Sequence, residues 1–317
     1  MKVNTVLGPI SPEQMGITNM HEHILWGPIP GWQFSPEANE LLNTPEVFRV
    51  IHEKLTELKA AGGKTFIDCS GIGLGRDVEL YVTLARATGI NIVASTGFWL
   101  EERIVPYFLH KDIDYLTDLF VKELTRGMGT TNVKAGVIKV GNKRDGFTKF
   151  EEMAYRAAAR ASRATGAAII THGVNAALRQ TEIFLEEKAD PRHIVISHCD
   201  AAYEVNFERD KAIAKKGFNV GYDHIGAEPE WCKMKYAMSD TKRVELCKAF
   251  IEAGYAKNLV ISCNVDIYPE MIVPGQKLPR SYAHLIQSFV PRLRAAGISE
   301  ETIQTLIVEN PKSIIPF

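Results

Sequence analysis

The feature that most constrains this chain is an eightfold alternation. Short β-branched runs recur along it, and longer stretches with helical spacing lie between them. Strands are predicted at GITNMHEHI (16–24), KTFIDCS (64–70), NIVASTG (91–97) and VKAGVIKV (133–140). Four more are predicted at AAIITHG (167–173), HIVISHC (193–199), FNVGYDH (218–224) and NLVISCN (258–264). Helices are predicted at 45–62, 147–166 and 239–254, with glycine closing the last two. Strands that alternate with helices pair in parallel, and eight such units close an α/β (β/α)8, or TIM, barrel. A length of 317 residues suits one barrel, so a single domain over 1–317 is expected. A doubly wound sheet would need a Gly-rich phosphate turn after its first strand, and none is present. GIGLGRD (71–77) follows the second strand but lacks the third glycine of that pattern.

Composition narrows the partners. A net charge of -1 gives no basic face for nucleic acid or an anionic membrane, which leaves a small-molecule substrate. The five cysteines lie far apart without CxxC spacing, as reduced thiols of a cytoplasmic protein would. The N-terminus has no apolar leader segment, and no window is long enough to span a bilayer.

The histidines point to the chemistry. His21 and His23 lie two apart in MHEHI, so on a strand both face the same way. His172, His198 and His224 fall at the ends of three later strands. Five of the nine histidines thus sit where barrel enzymes place catalysis. One strand-end histidine usually just bonds a loop; five together, with an HxH pair, suit a Zn²⁺-type site. Lys139 is the second anomaly, because it interrupts the apolar strand VKAGVIKV. Either it reaches a carboxylate, or its amine takes up CO2 as a carbamate, whose two oxygens can bridge cations.

Together GITNMHEH, KAGVIKVG, ITHG, ISHCD and GYDHIG resemble the phosphotriesterase-related (phosphotriesterase/lactonase-like) family of the amidohydrolase superfamily. The resemblance runs over nearly the whole chain, through AYRAAARASRATG to the closing VENPKSIIPF. It implies a hydrolase with two divalent metal ions, Zn²⁺ first and Mn²⁺, Fe²⁺ or Co²⁺ as alternatives. His21 and His23 would hold the buried ion and His172 and His198 the exposed one, with carbamylated Lys139 and a hydroxide between them. His224 would relay a proton away from the carboxylate of the eighth strand. A homodimer is also implied.

The eighth strand departs from the pattern. The family places an aspartate two residues after a serine, as a metal ligand that also moves the proton, but NLVISCNVD puts Asn264 there. Asparagine is neutral and cannot act as a base, although its oxygen can be a weak ligand. Asp266 has the same strand parity but lies roughly 6–7 Å further on, useful only if the strand end bends inward. Three readings stay open: an introduced Asp-to-Asn change that traps ligand, a natural variant using Asp266, or weakened chemistry.

The mouth is expected to be lined by Trp26, Phe98, Trp99, Tyr222, Trp231 and Tyr268, which favours an apolar or aromatic substrate. Lactonases of the family carry a tyrosine after the third strand and an arginine after the strand-seven aspartate. Here those places hold Phe98–Trp99 and His224, which leans toward the phosphotriesterase side. Arg76, Arg103 and Lys242 would read a substrate carboxylate only if their loops fold inward. The leading expectation is hydrolysis of a carboxylic ester, lactone or amide. Its rivals are an organophosphate triesterase and a catalytically weak metal-containing binder.

Overall fold

The structure is a computed structural model that describes residues 1–27, 45–144, 146–267 and 278–317. A small antiparallel hairpin, β1 (Val3–Thr5) and β2 (Gly8–Ile10), comes first. The barrel strands follow: β3 (Thr18–Glu22), β4 (Thr65–Asp68), β5 (Asn91–Val93), β6 (Ser95–Phe98) and β7 (Val137–Val140). β8 (Ala168–Ile170), β9 (Ile194–Ile196), β10 (Asn219–Tyr222) and β11 (Leu259–Ile261) complete it. All eight predicted runs carry a strand. The third is split into β5 and β6 at Ala94, whose carbonyl accepts the Gly136 N–H at 2.9 Å.

Every barrel pairing is parallel, in the orders β3-β4-β5 and β6-β7-β8-β9-β10-β11. The ring closes between β11 and β3. The His21 N–H donates to Ser262 Oγ at 3.0 Å, and the Asn264 N–H donates to the His21 carbonyl at 3.0 Å. Glu22, the residue between the two histidines, faces the other way and finishes the seam. Its carboxylate accepts the N–H groups of Cys263 (2.9 Å) and Val265 (2.8 Å) and the Ser262 hydroxyl (2.8 Å). The HEH triplet therefore does two jobs, one on each side of its strand.

The helices between strands include α1 (Pro45–Ala60), α2 (Val78–Thr88), α3 (Ile113–Thr125), α4 (Lys149–Thr165), α5 (Ala177–Glu186), α6 (Phe207–Lys215) and α7 (Asp240–Glu252). α4 shows why the sequence folds this way. Thr148 and Glu151 form a capping box at its start, and Gly166 ends it at φ 86°, a conformation that favours glycine. Its buried face is mostly alanine (Ala154, Ala157, Ala158, Ala161), which lets it lie close to β7 and β8. Among the described residues no helix is long and apolar enough to cross a membrane.

Strand parity sorts the apolar side chains. Ile67, Val93, Val137, Ala168, Ile170, Val195 and Val260 fill the barrel interior as one cluster, while Ile138 and Val140 join the larger core beneath the helices. Lys139, two residues after Val137, therefore points inward, one layer above this plug. A bulge between Asn19 and Glu22 shifts the β3 register, so Met20 joins the plug and His21 still points inward above it.

Candidate metal centre

Lys139 is fully buried, and its Nζ lies 2.7 Å from His21 Nε2 and 3.1 Å from the Thr171 carbonyl. No carboxylate lies within ion-pairing distance of it among the described residues. Burial lowers its pKa, which favours the neutral, nucleophilic amine. The lysine needs a glycine beside it. Gly97 pairs with Lys139 across β6 and β7 at φ 93°, and a Cβ there would stand 2.0 Å from the Lys139 carbonyl oxygen.

The histidines present their nitrogens in a consistent way. His172 Nδ1 lies 2.7 Å from His198 Nε2, as close as His21 Nε2 lies to Lys139. In three of the four rings the opposite nitrogen is already taken. His23 Nδ1 meets Ser70 Oγ at 3.1 Å, His21 Nδ1 meets Ser197 Oγ at 3.1 Å, and His198 Nδ1 meets Asp223 Oδ1 at 2.7 Å. Bonding at one ring nitrogen fixes the tautomer and leaves the other nitrogen's lone pair for a cation. Burial keeps all four rings neutral: it is the first cause that brings His21 down to about 3 and lowers His23, His172 and His198. The site thus gathers uncharged nitrogen donors, which suits Zn²⁺ and similar ions.

The surrounding polar groups hold these donors in place. Asp68 accepts the N–H groups of Ile24 (2.8 Å) and Ser70 (3.0 Å) and the Tyr81 hydroxyl (2.9 Å), which fixes the Ser70 that faces His23. The His172 carbonyl is gripped by Tyr155 Oη (2.9 Å) and Gln180 Nε2 (3.1 Å). His198 adopts φ 63°, and its N–H donates to Asp223 Oδ1 at 3.1 Å.

The phosphotriesterase family model matches residues 1–315. The chain belongs to the phosphotriesterase family. It is 33% identical to an aryldialkylphosphatase of Saccharolobus solfataricus, over 96% of each chain. It is 28% identical to an N-acetyltaurine hydrolase of Xenopus tropicalis, over 100% of this chain and 98% of that one. Among solved structures, the organophosphorus hydrolase of Deinococcus radiodurans superposes with a TM-score of 0.89 at 28% identity, covering 99% of this chain and 97% of that one. Family members are metal-dependent hydrolases, and the donors gathered here have the chemistry such a group requires.

His21, His23, Lys139, His172 and His198 all converge, and Trp99 packs edge-on against His172 with ring centres 5.1 Å apart. Trp26 meets Trp99 at 5.0 Å, and the Arg103 guanidinium lies 5.9 Å from the Trp26 ring, so these three share one rim. Trp231 and Asp266 line a cavity of about 250 Å³ with Tyr236, Ile267, Leu278 and Arg280. His224 is buried, stacks on His198 and Tyr236, and faces Asp200 through Nδ1 at 3.3 Å.

Two expected mouth residues are corrected. Phe98 is buried among Phe108, Phe120 and Phe150 in the layer under the helices, because its neighbour Gly97 takes the inward position. Tyr222 likewise points outward; its hydroxyl donates to Asp210 of α6 at 3.0 Å. Tyr268 lies outside the described residues. Arg76 is no substrate reader either, since Glu123 holds it at 2.6 Å, and Lys242 lines a surface groove beside α7.

The sequence reading missed the role of Asp223. One oxygen bonds His198, and the other lies 3.1 Å from His21 Nδ1, too poorly aligned for a hydrogen bond, so one carboxylate touches histidines of both halves of the site. His21, His198 and Asp223 are compact enough to hold an ion themselves, as are Asp200, Asp223 and His224. The first group would use Nδ1, however, whereas His21 and His198 turn Nε2 toward Lys139 and His172; Asp223 therefore reads as an orienting group. Burial works to raise its carboxyl, but the hydrogen bonds it accepts from the His198 ring and backbone N–H favour the charged form and hold it well below the usual carboxylate range. The signal was parity. Asp223 follows Gly221 by two, and a Cβ on Gly221 would stand 2.9 Å from Asp223 Oδ2.

Proposed function

We propose that this chain is a binuclear metal-dependent hydrolase of carboxylic esters, lactones or amides. The convergence of His21 Nε2, Lys139 Nζ, His172 Nδ1 and His198 Nε2, with the outer nitrogens of His21 and His198 held by Ser197 and Asp223 and that of the neighbouring His23 by Ser70, carries this reading. His21 and His23 would hold one ion and His172 and His198 the other. When bound, two such cations supply Lewis acidity and make water acidic enough to attack at neutral pH.

The chain's own residues prepare that chemistry. The neutral Lys139 amine would add to CO2: an N–C bond forms as one C=O π bond opens onto oxygen, the nitrogen gives one proton to a water molecule, and the resulting carbamate anion would lie between the two histidine pairs. Asp223 keeps His21 and His198 in register. His224, anchored to Asp200 at 3.3 Å, is the proposed proton carrier. The Trp26–Trp99 rim and the cavity beside Asp266 orient a small, partly apolar substrate and exclude water from it.

The aryldialkylphosphatase relative supports a second reading, hydrolysis of phosphotriesters, and the N-acetyltaurine hydrolase keeps amides within the first. The test is metal analysis joined to a substrate panel of an aryl ester, an aliphatic lactone, an N-acyl amino acid and a dialkyl aryl phosphate. The expected result is two ions per chain, carboxyl-bond hydrolysis abolished by chelation and restored by Zn²⁺, and loss in Lys139→Ala. Fully loaded protein that turns over none of the four would leave a metal-containing binder instead. Turnover of the phosphate alone would favour the second reading.

A further inference from the structure

β11 ends in a way the family pattern does not anticipate. Asn264, which stands where an aspartate was expected, adopts φ 46°, a left-handed backbone that β strands avoid. This turn is pinned on both sides. The Asn264 N–H donates to the His21 carbonyl at 3.0 Å, and the Val265 N–H donates to Glu22 at 2.8 Å. Arg280 donates to the carbonyls of both Asn264 and Cys263. The strand therefore cannot run straight on, and the residue two positions later is carried back over the cradle.

That residue is Asp266. Its Oδ1 lies 3.8 Å from His23 Nε2, the nitrogen left over once Ser70 has taken Nδ1. Only 16% of its side chain is exposed, yet its carboxylate accepts no hydrogen bond among the described residues. A half-buried carboxylate that no protein donor meets keeps its lone pairs open to a cation. Asn264 Oδ1 also lacks a partner, but it brings no charge. Of the two, Asp266 is the group that matches a cation beside His23.

We propose that Asp266 supplies the carboxylate ligand of the ion held by His21 and His23, taking the place of the strand-end aspartate that Asn264 does not provide. The left-handed turn at Asn264, clamped by Arg280, delivers it there. This inference rests on the metal-dependent reading above and adds to it which acid completes the site.

The test uses full-length protein stripped with a chelator and titrated with Zn²⁺ or Co²⁺, read by calorimetry and by the visible Co²⁺ spectrum. Asp266→Asn should weaken one of the two sites by at least about 10-fold and alter the Co²⁺ bands, the scale expected when a supporting group of a metal site is lost. Asn264→Ala should lose less. The metal-free Asp266→Asn chain should melt no lower than wild type, because the half-buried carboxylate it sheds accepts no hydrogen bond among the described residues. If it does not fold, Asp266→Glu decides: a changed Co²⁺ spectrum with both ions kept supports ligation, and an unchanged spectrum overturns it. Wild-type binding of both ions by Asp266→Asn, or a larger loss in Asn264→Ala, also overturns it. A wild-type chain that takes up no ion, or a His23→Asn chain that loses none, would instead sink the metal-dependent reading, and this assignment with it.

Discussion

The β9–β10 side of the cradle and the β11 side handle polar groups in opposite ways. On the first, each charge leads to the next. Asp223 serves His198 and His21, His224 faces Asp200, and Asp200 takes Arg243 Nε at 2.7 Å. Asp240 lies 3.5 Å from Arg243 and 2.7 Å from His284, which reaches toward the surface. Burial works to raise Asp200, but His224 and Arg243 outweigh it and bring the carboxyl down to about 2. On the β11 side, Asn264 Oδ1 has no partner, and burial is the leading effect on Asp266, pushing it up to about 6. Along the first side each acid meets a histidine or an arginine, although Asp223 Oδ2 makes no hydrogen bond. On the second, neither Asn264 Oδ1 nor the Asp266 carboxylate accepts a hydrogen bond among the described residues.

The largest effect that would break this comparison is on stability. Arg243 is fully buried between Asp200 and Asp240, so Arg243→Met leaves two acids without their cation. Removing one partner of such a buried pair costs about 3–5 kcal/mol, and urea unfolding should show a loss in that range. A loss below about 1 kcal/mol, the level of an exposed pair, would mean that the network does not hold this side together. A smaller effect is expected one step closer to the cradle. Asp223→Asn keeps the shape but not the charge that meets both His198 and His21. Competition for Zn²⁺ against a chromophoric chelator should show affinity falling by about 10- to 100-fold, with the unfolding midpoint barely moved. Unchanged affinity would reduce Asp223 to a structural acid.

These two sides were unequally legible in the sequence. The barrel was readable because β-branched runs and helical periodicity repeat eight times, and each run does contain a strand. The convergence of His21, Lys139, His172 and His198 was readable because His and Lys are conspicuous on apolar strands. The networks behind them were not, since Asp200 and Arg243 lie 43 residues apart and meet only once β9, β10 and α7 are assembled. Phe98 and Tyr222 were misplaced for a related reason. Nearness to a strand end suggests the mouth, but parity sends Phe98 under the helices and its neighbour Gly97 against Lys139. At β11 simple parity misled in a different way, because counting along an ideal strand carries Asp266 past the site, and the left-handed Asn264 brings it back.

The smallest effect is the most discriminating. Asn264→Asp supplies the aspartate that the sequence resemblance implies at this place, and if the β11 side truly lacked its acid, this change would raise turnover steeply. With Asp266 already facing His23 at 3.8 Å, a second carboxylate two residues away adds a like charge in a buried place, where one of the pair tends to hold a proton. The gain in kcat/KM should therefore stay within about 3-fold, equivalent to roughly 0.7 kcal/mol of barrier. Steady-state kinetics on whichever substrate of the panel responds best would measure it. A gain of about 100-fold or more, near 2.7 kcal/mol, would show that Asn264 is what the site lacks. The difference between the two sides would then be a missing acid on β11 and not a relocated one.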